Sequence, residues 1–209
     1  KKSSHESETG LMLSGWMPPS VKLLIVADHA SNYIPKKYDN LGLTKKDIFT
    51  HKVFDPGIKD LAINLSNKFN SHLVLGEYSR LLIDCNRDVN DPTLISVISD
   101  RTIILGNKKI TRQERIYRIN KIYRPYHDKI NKKILEKKIN VIISLHSFNP
   151  IFKGRKRFLE YGILSNAVRR LSNLIINELK KKKNFVGDNE PYKGSLIGDT
   201  LYKHALEKG

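Results

Sequence analysis

Two histidines stand where β-strands should end. His29 lies in Asp28-His29-Ala30-Ser31-Asn32, directly after the apolar, β-branched run 21–27, and His146 lies in His146-Ser147, directly after the run 141–145. In open α/β sheets, ligands bind outside the carboxyl ends of the strands, so two imidazoles carried by separate strands would reach one rim. Either histidine alone is most simply a satisfied loop residue. A pair at equivalent strand ends points instead to metal ligation or proton transfer.

Further polar clusters occupy comparable places. Asp55-Pro56-Gly57 opens a helical pattern, and Asp55 suits an N-cap before Pro56 as well as it suits a functional role. Asp84-Cys85-Asn86-Arg87 follows the apolar run 81–83. The Arg87 guanidinium offers a rigid fork for a carboxylate, with Asn86 as an added amide donor. The competing reading of Arg87 is a structural ion pair with Asp84 or Asp88. Asp188-Asn189-Glu190-Pro191-Tyr192 sets Glu190 in a Gly/Pro/Asn-bounded loop, where a turn or capping role is ordinary. Cys85, beside Asp84 near the end of an apolar run, reads as a packing residue, and no GxSxG elbow exists to support a serine nucleophile.

The elements that must position these residues alternate. Strands are expected at 21–27, around 73–75, at 81–83 and at 141–145, with a fifth candidate at 158–164; their apolar runs suit buried strands of a largely parallel sheet. Ile58, Leu61, Ala62, Leu65 and Phe69 mark one helical face. Ile116, Ile119, Tyr123, Ile130 and Ile134 mark a long helix kinked at Pro125. Further helices are expected over about 167–182 and 196–207. Residues 1–20, with a Pro18-Pro19 pair, read as an entry segment, and 21–209 as a single α/β domain.

The chain has 209 residues, 39% of them hydrophobic, and a formal charge of +17. Such a charge raises nucleic acid or an anionic surface as partners. Lysines, however, are spread through almost every segment, and the densest runs, 132–138 and 180–183, fall at helix ends, where cations complement the dipole. No specific nucleic-acid partner is therefore expected. The single cysteine excludes a disulfide framework and any CxxC ribbon, which makes the cytoplasm the simplest compartment. No apolar stretch is long enough for a membrane span. Oligomeric state is not legible.

Taken together, Asp28-His29-Ala30-Ser31-Asn32, His51 with Asp55 and Gly57, Ser79-Arg80-Leu81-Leu82-Ile83-Asp84-Cys85-Asn86-Arg87, Pro125-Tyr126-His127, His146-Ser147-Phe148 and Asn189-Glu190-Pro191-Tyr192 resemble, in content and order, the N-formylglutamate amidohydrolase family. The resemblance runs from about residue 21 to 208. It implies a phosphorylase/hydrolase-like, zinc-peptidase-like three-layer αβα sandwich around a mostly parallel mixed sheet, with a divalent metal, zinc first, at the sheet's C-terminal rim. His29 and His146 correspond to metal-binding histidines. Related hydrolases carry an HxxE carboxylate, but Asn32 holds that place here, so Asp55 becomes the third ligand and Asn32 a substrate contact. Asn86 and Arg87 resemble the pair that grips a substrate carboxylate, Glu190 becomes the general base, and Ser147 and Tyr192 supporting contacts.

The activity so implied is hydrolysis of N-formyl-L-glutamate, or a similar small N-acyl amino acid, to formate or another acid and the free amino acid. Relatives continue beyond the helix near His204 into a strand with a Glu-Ile-Arg-like motif, whereas this chain stops at Gly209. The alternatives are a catalytically inactive homologue, suggested by Asn32 and that missing segment, and a basic anion-binding or nucleic-acid-binding protein, suggested by charge.

Overall fold

A computed structural model describes residues 20–206, apart from 153, 167, 168, 193 and 195, so the entry segment at 1–20 lies almost wholly outside the described residues. The centre is strand β1 (Leu23–Ala27), whose five residues are all buried. It pairs in parallel with β2 (His72–Leu75) on one side and β5 (Val141–Ser144) on the other. Parallel strands need crossovers, and both are helical. Helix α1 (Ile58–Phe69) links β1 to β2, while α4 (Arg124–Lys137) leads into β5.

Side-chain alternation divides β1 between two apolar clusters. Leu23, Ile25 and Ala27 pack with Ile58, Ala62, Leu65 and Phe69 of α1. Leu24 and Val26 pack with Val74, Tyr126 and Ile130, the last two from α4. A strand covered on both faces has no polar positions, which is why it reads as a continuous apolar run.

Between β2 and α4 the chain forms a small hairpin, β3 (Ile98–Ser99) and β4 (Thr102–Ile103), then α2 (Leu105–Lys108) and α3 (Arg112–Arg118). Thr111 caps α3 by accepting from Glu114 N at 3.1 Å. The expected long helix is continuous but widened, with a π-helical stretch over Ile119–Tyr123 just before Pro125. Proline lacks an N–H and crowds the carbonyl four residues earlier, and the wider turn relieves both problems. The hairpin β6 (Ile151–Phe152) and β7 (Arg155–Lys156) is followed by a parallel pair, β8 (Tyr161–Ile163) and β9 (Val186–Asp188), against which α5 (Arg170–Lys181) packs.

One expected strand is absent. Residues 81–83 are as buried as a strand core, but they form turns. Ser79 explains this, because its hydroxyl accepts from Leu81 N at 3.2 Å and its carbonyl from Leu82 N at 2.9 Å, diverting the backbone from a ladder. Side chains replace the missing strand neighbour. Asn107 Nδ2 donates to Leu81 O at 2.7 Å and to Ser96 O at 2.9 Å, and Arg118 Nη1 donates to Leu82 O at 3.0 Å and Asn107 Oδ1 at 2.8 Å. Asn107 and Arg118 are 0% and 2% exposed.

Because a buried carbonyl left unpaired costs about 1–3 kcal/mol, Asn107→Ala is expected to lower stability by roughly 2–4 kcal/mol in urea unfolding. A loss below about 1 kcal/mol would mean that the 79–83 turn holds itself.

Candidate metal centre

The β1–β5 register sets the site. Val26 lies opposite Ser144, and Leu145 N bonds Val26 O at 2.9 Å, so Asp28 and His29 leave one strand beside His146 leaving the next. Gly76, at the end of β2, donates to Ala27 O at 2.8 Å, and a Cβ there would lie 1.9 Å from Asp28 O. Only glycine permits this close approach.

Asp55 arrives from the loop before α1, where its backbone N–H bonds His29 O at 2.9 Å. It does not cap the helix. Gly57, at φ +79°, is the N-cap, without a side-chain hydrogen bond. The Asp55 carboxylate turns inward instead and accepts from Ser147 N at 3.1 Å. Of the two readings open in the sequence, the geometry supports the non-capping one.

One donor atom from each of His29, Asp55 and His146 lies within 4.8 Å of the others. The atoms pair consistently. His29 Nε2 bonds Asp84 Oδ1 at 2.7 Å, which places a proton on Nε2 and leaves Nδ1 as the nitrogen facing the cluster. That Nδ1 is buried without a hydrogen-bond partner, 3.6 Å from Asp55 Oδ2. His146 presents Nδ1 to the same oxygen at 3.0 Å and Nε2 to Asp28 Oδ2 at 3.1 Å.

Ligands about 2.0–2.1 Å from a tetrahedral zinc are spaced about 3.3–3.4 Å apart, and the two Asp55–imidazole distances bracket that value. Each imidazole has a carboxylate on its far nitrogen, the arrangement that fixes tautomer and ring orientation in metal sites. The residues therefore fit a divalent cation held by His29, Asp55 and His146.

Electrostatics agree. Burial would raise the Asp28, Asp55 and Asp84 carboxyls, but His146 and His29 beside Asp28 and Asp55, and His29 with Arg80 beside Asp84, hold all three well below the usual carboxylate range. Burial would lower His146, yet its contacts with Asp28 and Asp55 prevail and push it up to about 10. With both ring nitrogens facing carboxylates, a cation at this position would compete with one imidazole proton.

The other expected site residues fall into two groups. Asn86 is in place, with Nδ2 3.4 Å from His146 Nε2. Ser147 and Tyr192 line a cleft of about 560 Å³ that also touches Asp55, Arg80, Phe148 and Asn149. Asn32 Nδ2 donates to Ile48 O at 3.4 Å, and Asn32 is not among the cleft residues. Arg87 is not among the cleft residues, and its Nη1 lies 3.3 Å from Asn86 O. Glu190 is exposed, outside the three-ligand cluster, two residues before the cleft residue Tyr192.

Several residues acquire roles that sequence reasoning did not assign. Arg80 spans two carboxylates, with Nη2 3.0 Å from Asp84 Oδ2 and Nη1 3.7 Å from Asp55 Oδ1. Asp28 and Asp84 are the carboxylates behind the histidines. Tyr126 donates to Asp28 Oδ1 at 2.8 Å, and Thr200 donates to the same oxygen. Both tyrosine and threonine come from elements remote in sequence, so no local spacing could have announced them.

A search of curated proteins gives no match. The model of the N-formylglutamate amidohydrolase family matches residues 21–209. The crystal structure of gene product Atu2144 from Agrobacterium tumefaciens is similar, with TM-score 0.84 and 36% identity over 91% of this chain and 77% of that one. The chain belongs to the N-formylglutamate amidohydrolase family, and is thus an enzyme of a class acting on amides. Among the described residues no helix is long and apolar enough to cross a membrane.

His127, from the Pro125-Tyr126-His127 segment, backs the site. Its Nε2 donates to Cys85 O at 3.0 Å, and its Nδ1 meets His204 Nε2 at 2.8 Å. Burial first, then the His204 and Lys203 charges, lower it to about 4 despite the opposing Asp28. Unfolding restores a value near 6.5, so the unfolded chain binds the proton first; the stability contribution is complete above pH 6.5 and shrinks as pH falls toward 4. The stability gap between the wild type and His127→Gln is expected to change by up to about 3 kcal/mol between pH 7 and 4 in urea titrations. A gap that stays constant would show that His127 titrates alike in both states.

Proposed function

We propose that the chain is a metal-dependent hydrolase of a small N-acyl amino acid, with N-formyl-L-glutamate as the first substrate to assay and zinc as the first metal. The observation that carries this reading is the buried Nδ1 of His29, which makes no hydrogen bond and is aimed with His146 Nδ1 at one oxygen of Asp55. An apolar or merely structural histidine would have that nitrogen satisfied. A cation bound there supplies polarisation of the scissile carbonyl and a water acidic enough to attack near neutral pH. The architecture we infer is the three-layer, zinc-peptidase-like sandwich, and the compartment is the cytoplasm.

The chain's own residues take the remaining work. Asp84 and Asp28 hold the two imidazoles so that their Nδ1 atoms converge on Asp55. The cleft beside Asp55 and Ser147 admits the substrate, with Phe148 and Tyr192 on its walls. We assign the carboxylate grip to Asn86 and Arg87 and the base to Glu190, which lies on the loop leading into Tyr192. Glu190 would take the water proton and return it to the leaving amine, and Asn32 would serve as an outer substrate contact.

Metal content per chain, measured together with formate release from N-formyl-L-glutamate before and after chelation, tests the reading. About one zinc per chain and chelator-sensitive formate release are expected. Bound metal without formate would move the substrate to another N-acyl amino acid, and absence of both would sink the hydrolase reading. Glu190→Gln is expected to retain metal and lose about 10²–10⁴-fold in kcat; unchanged turnover would remove the base from Glu190.

A further inference from the structure

Thr200, in the C-terminal helical segment, reaches the partners of His146. Thr200 is 1% exposed. Its hydroxyl donates to Asp28 Oδ1, and its backbone N–H donates to Asn86 Oδ1 at 2.9 Å. The opposite ends of the same two side chains border His146 Nε2, with Asp28 Oδ2 at 3.1 Å and Asn86 Nδ2 at 3.4 Å.

The donor and acceptor roles run without conflict through Asp28. An N–H can only donate, so Thr200 N fixes the oxygen of Asn86 toward itself; the amide nitrogen, also a donor, lies beside the His146 ring without hydrogen-bonding its Nε2–H. A hydroxyl given to Asp28 Oδ1, with Tyr126 as a second donor there, leaves Oδ2 as the oxygen that faces the imidazole. Ser144 Oγ, 3.3 Å from Oδ2, is its other neighbour. Asp28 then holds a proton on Nε2, and Nδ1 points at Asp55, where a cation would replace the Nδ1 proton.

We propose that Thr200 is a positioning residue for the metal site, setting the orientation of His146 and the proton on its Nε2 through Asp28, with Asn86 held beside the ring by the Thr200 backbone. The proposal rests on the metal-site reading above. It makes the segment following Gly198 a working part of the centre, although none of its described residues is among the three candidate ligands. The helix also has anchors of its own: His204 Nε2 meets His127 Nδ1 at 2.8 Å, and Lys203 Nζ donates to Arg87 O at 2.8 Å. Loss of the Thr200 hydroxyl therefore need not release the helix.

The test compares Thr200→Val, which keeps the shape and removes the hydroxyl, with Thr200→Ser, which restores it. Zinc affinity by chelator competition is expected to fall about 10–100-fold in the valine variant and to return within about threefold in the serine variant. A second readout needs no metal. In long-range proton–nitrogen NMR of the metal-free protein, a protected His146 Nε2–H is expected in the wild type and the serine variant and lost in the valine variant. Should valine disturb folding, Thr200→Ala gives the same comparison. Equal zinc affinity, or an unchanged ring signal, in a folded hydroxyl-free variant would overturn the proposal. A wild type that binds no zinc would overturn the metal reading, and the ring signals would still decide the role of Thr200.

Discussion

The parallel pairing of β1 with β5 is the constraint on which the rest depends. It aligns two strand ends so that Asp28 and His29 meet His146 at one rim. Displacement of the register by a single residue would move side chains to the opposite face, separating His146 from Asp28 and Asp55. The all-apolar sequence of β1 secures that register from both faces, since one set of side chains is gripped by α1 and the other by α4. Core packing and site geometry are in this sense one arrangement.

Burial of three carboxylates at that rim is costly unless each is paired. The compensation is reciprocal: Asp84 serves His29, Asp28 serves His146, Asp55 faces both imidazoles, and Arg80 bridges Asp84 and Asp55. Removal of any one charge would leave its partner stranded. This explains why hydroxyl donors from distant elements, Tyr126 and Thr200, converge on Asp28, the least exposed of the three at its side chain.

The sequence made the strand ends and their histidines legible because β1 and β5 are read by period and position, and because both rims carry short polar motifs. The spacing of Asp55 left a cap and a functional role both open, and only the family resemblance chose between them; Gly57 at the N-cap removes the capping reading. The run 81–83 misled for a physical reason: burial by Asn107 and Arg118 produces the same apolar string as burial in a sheet. Thr200 and Tyr126 were not legible as site residues, because their partner Asp28 lies far away in sequence and local spacing carries no trace of it.

The division between what holds the metal-site residues and what lines the cleft bears on substrate choice. The three candidate ligands and their carboxylate partners sit on strand ends and tight turns, where the backbone is fixed by Gly76, Asp55 and the Ser79 turn. Beyond Asp55 and Arg80, the cleft walls come mostly from different material: the loop after β5, the β3–β4 turn around Asp100 and Arg101, and the loop after β9 carrying Tyr192. Loops tolerate change more readily than paired strands. Chemistry at an amide carbonyl can thus stay constant across such a fold while the acyl or side-chain preference is set separately, by loop residues that bear no part of the cost of burying charge.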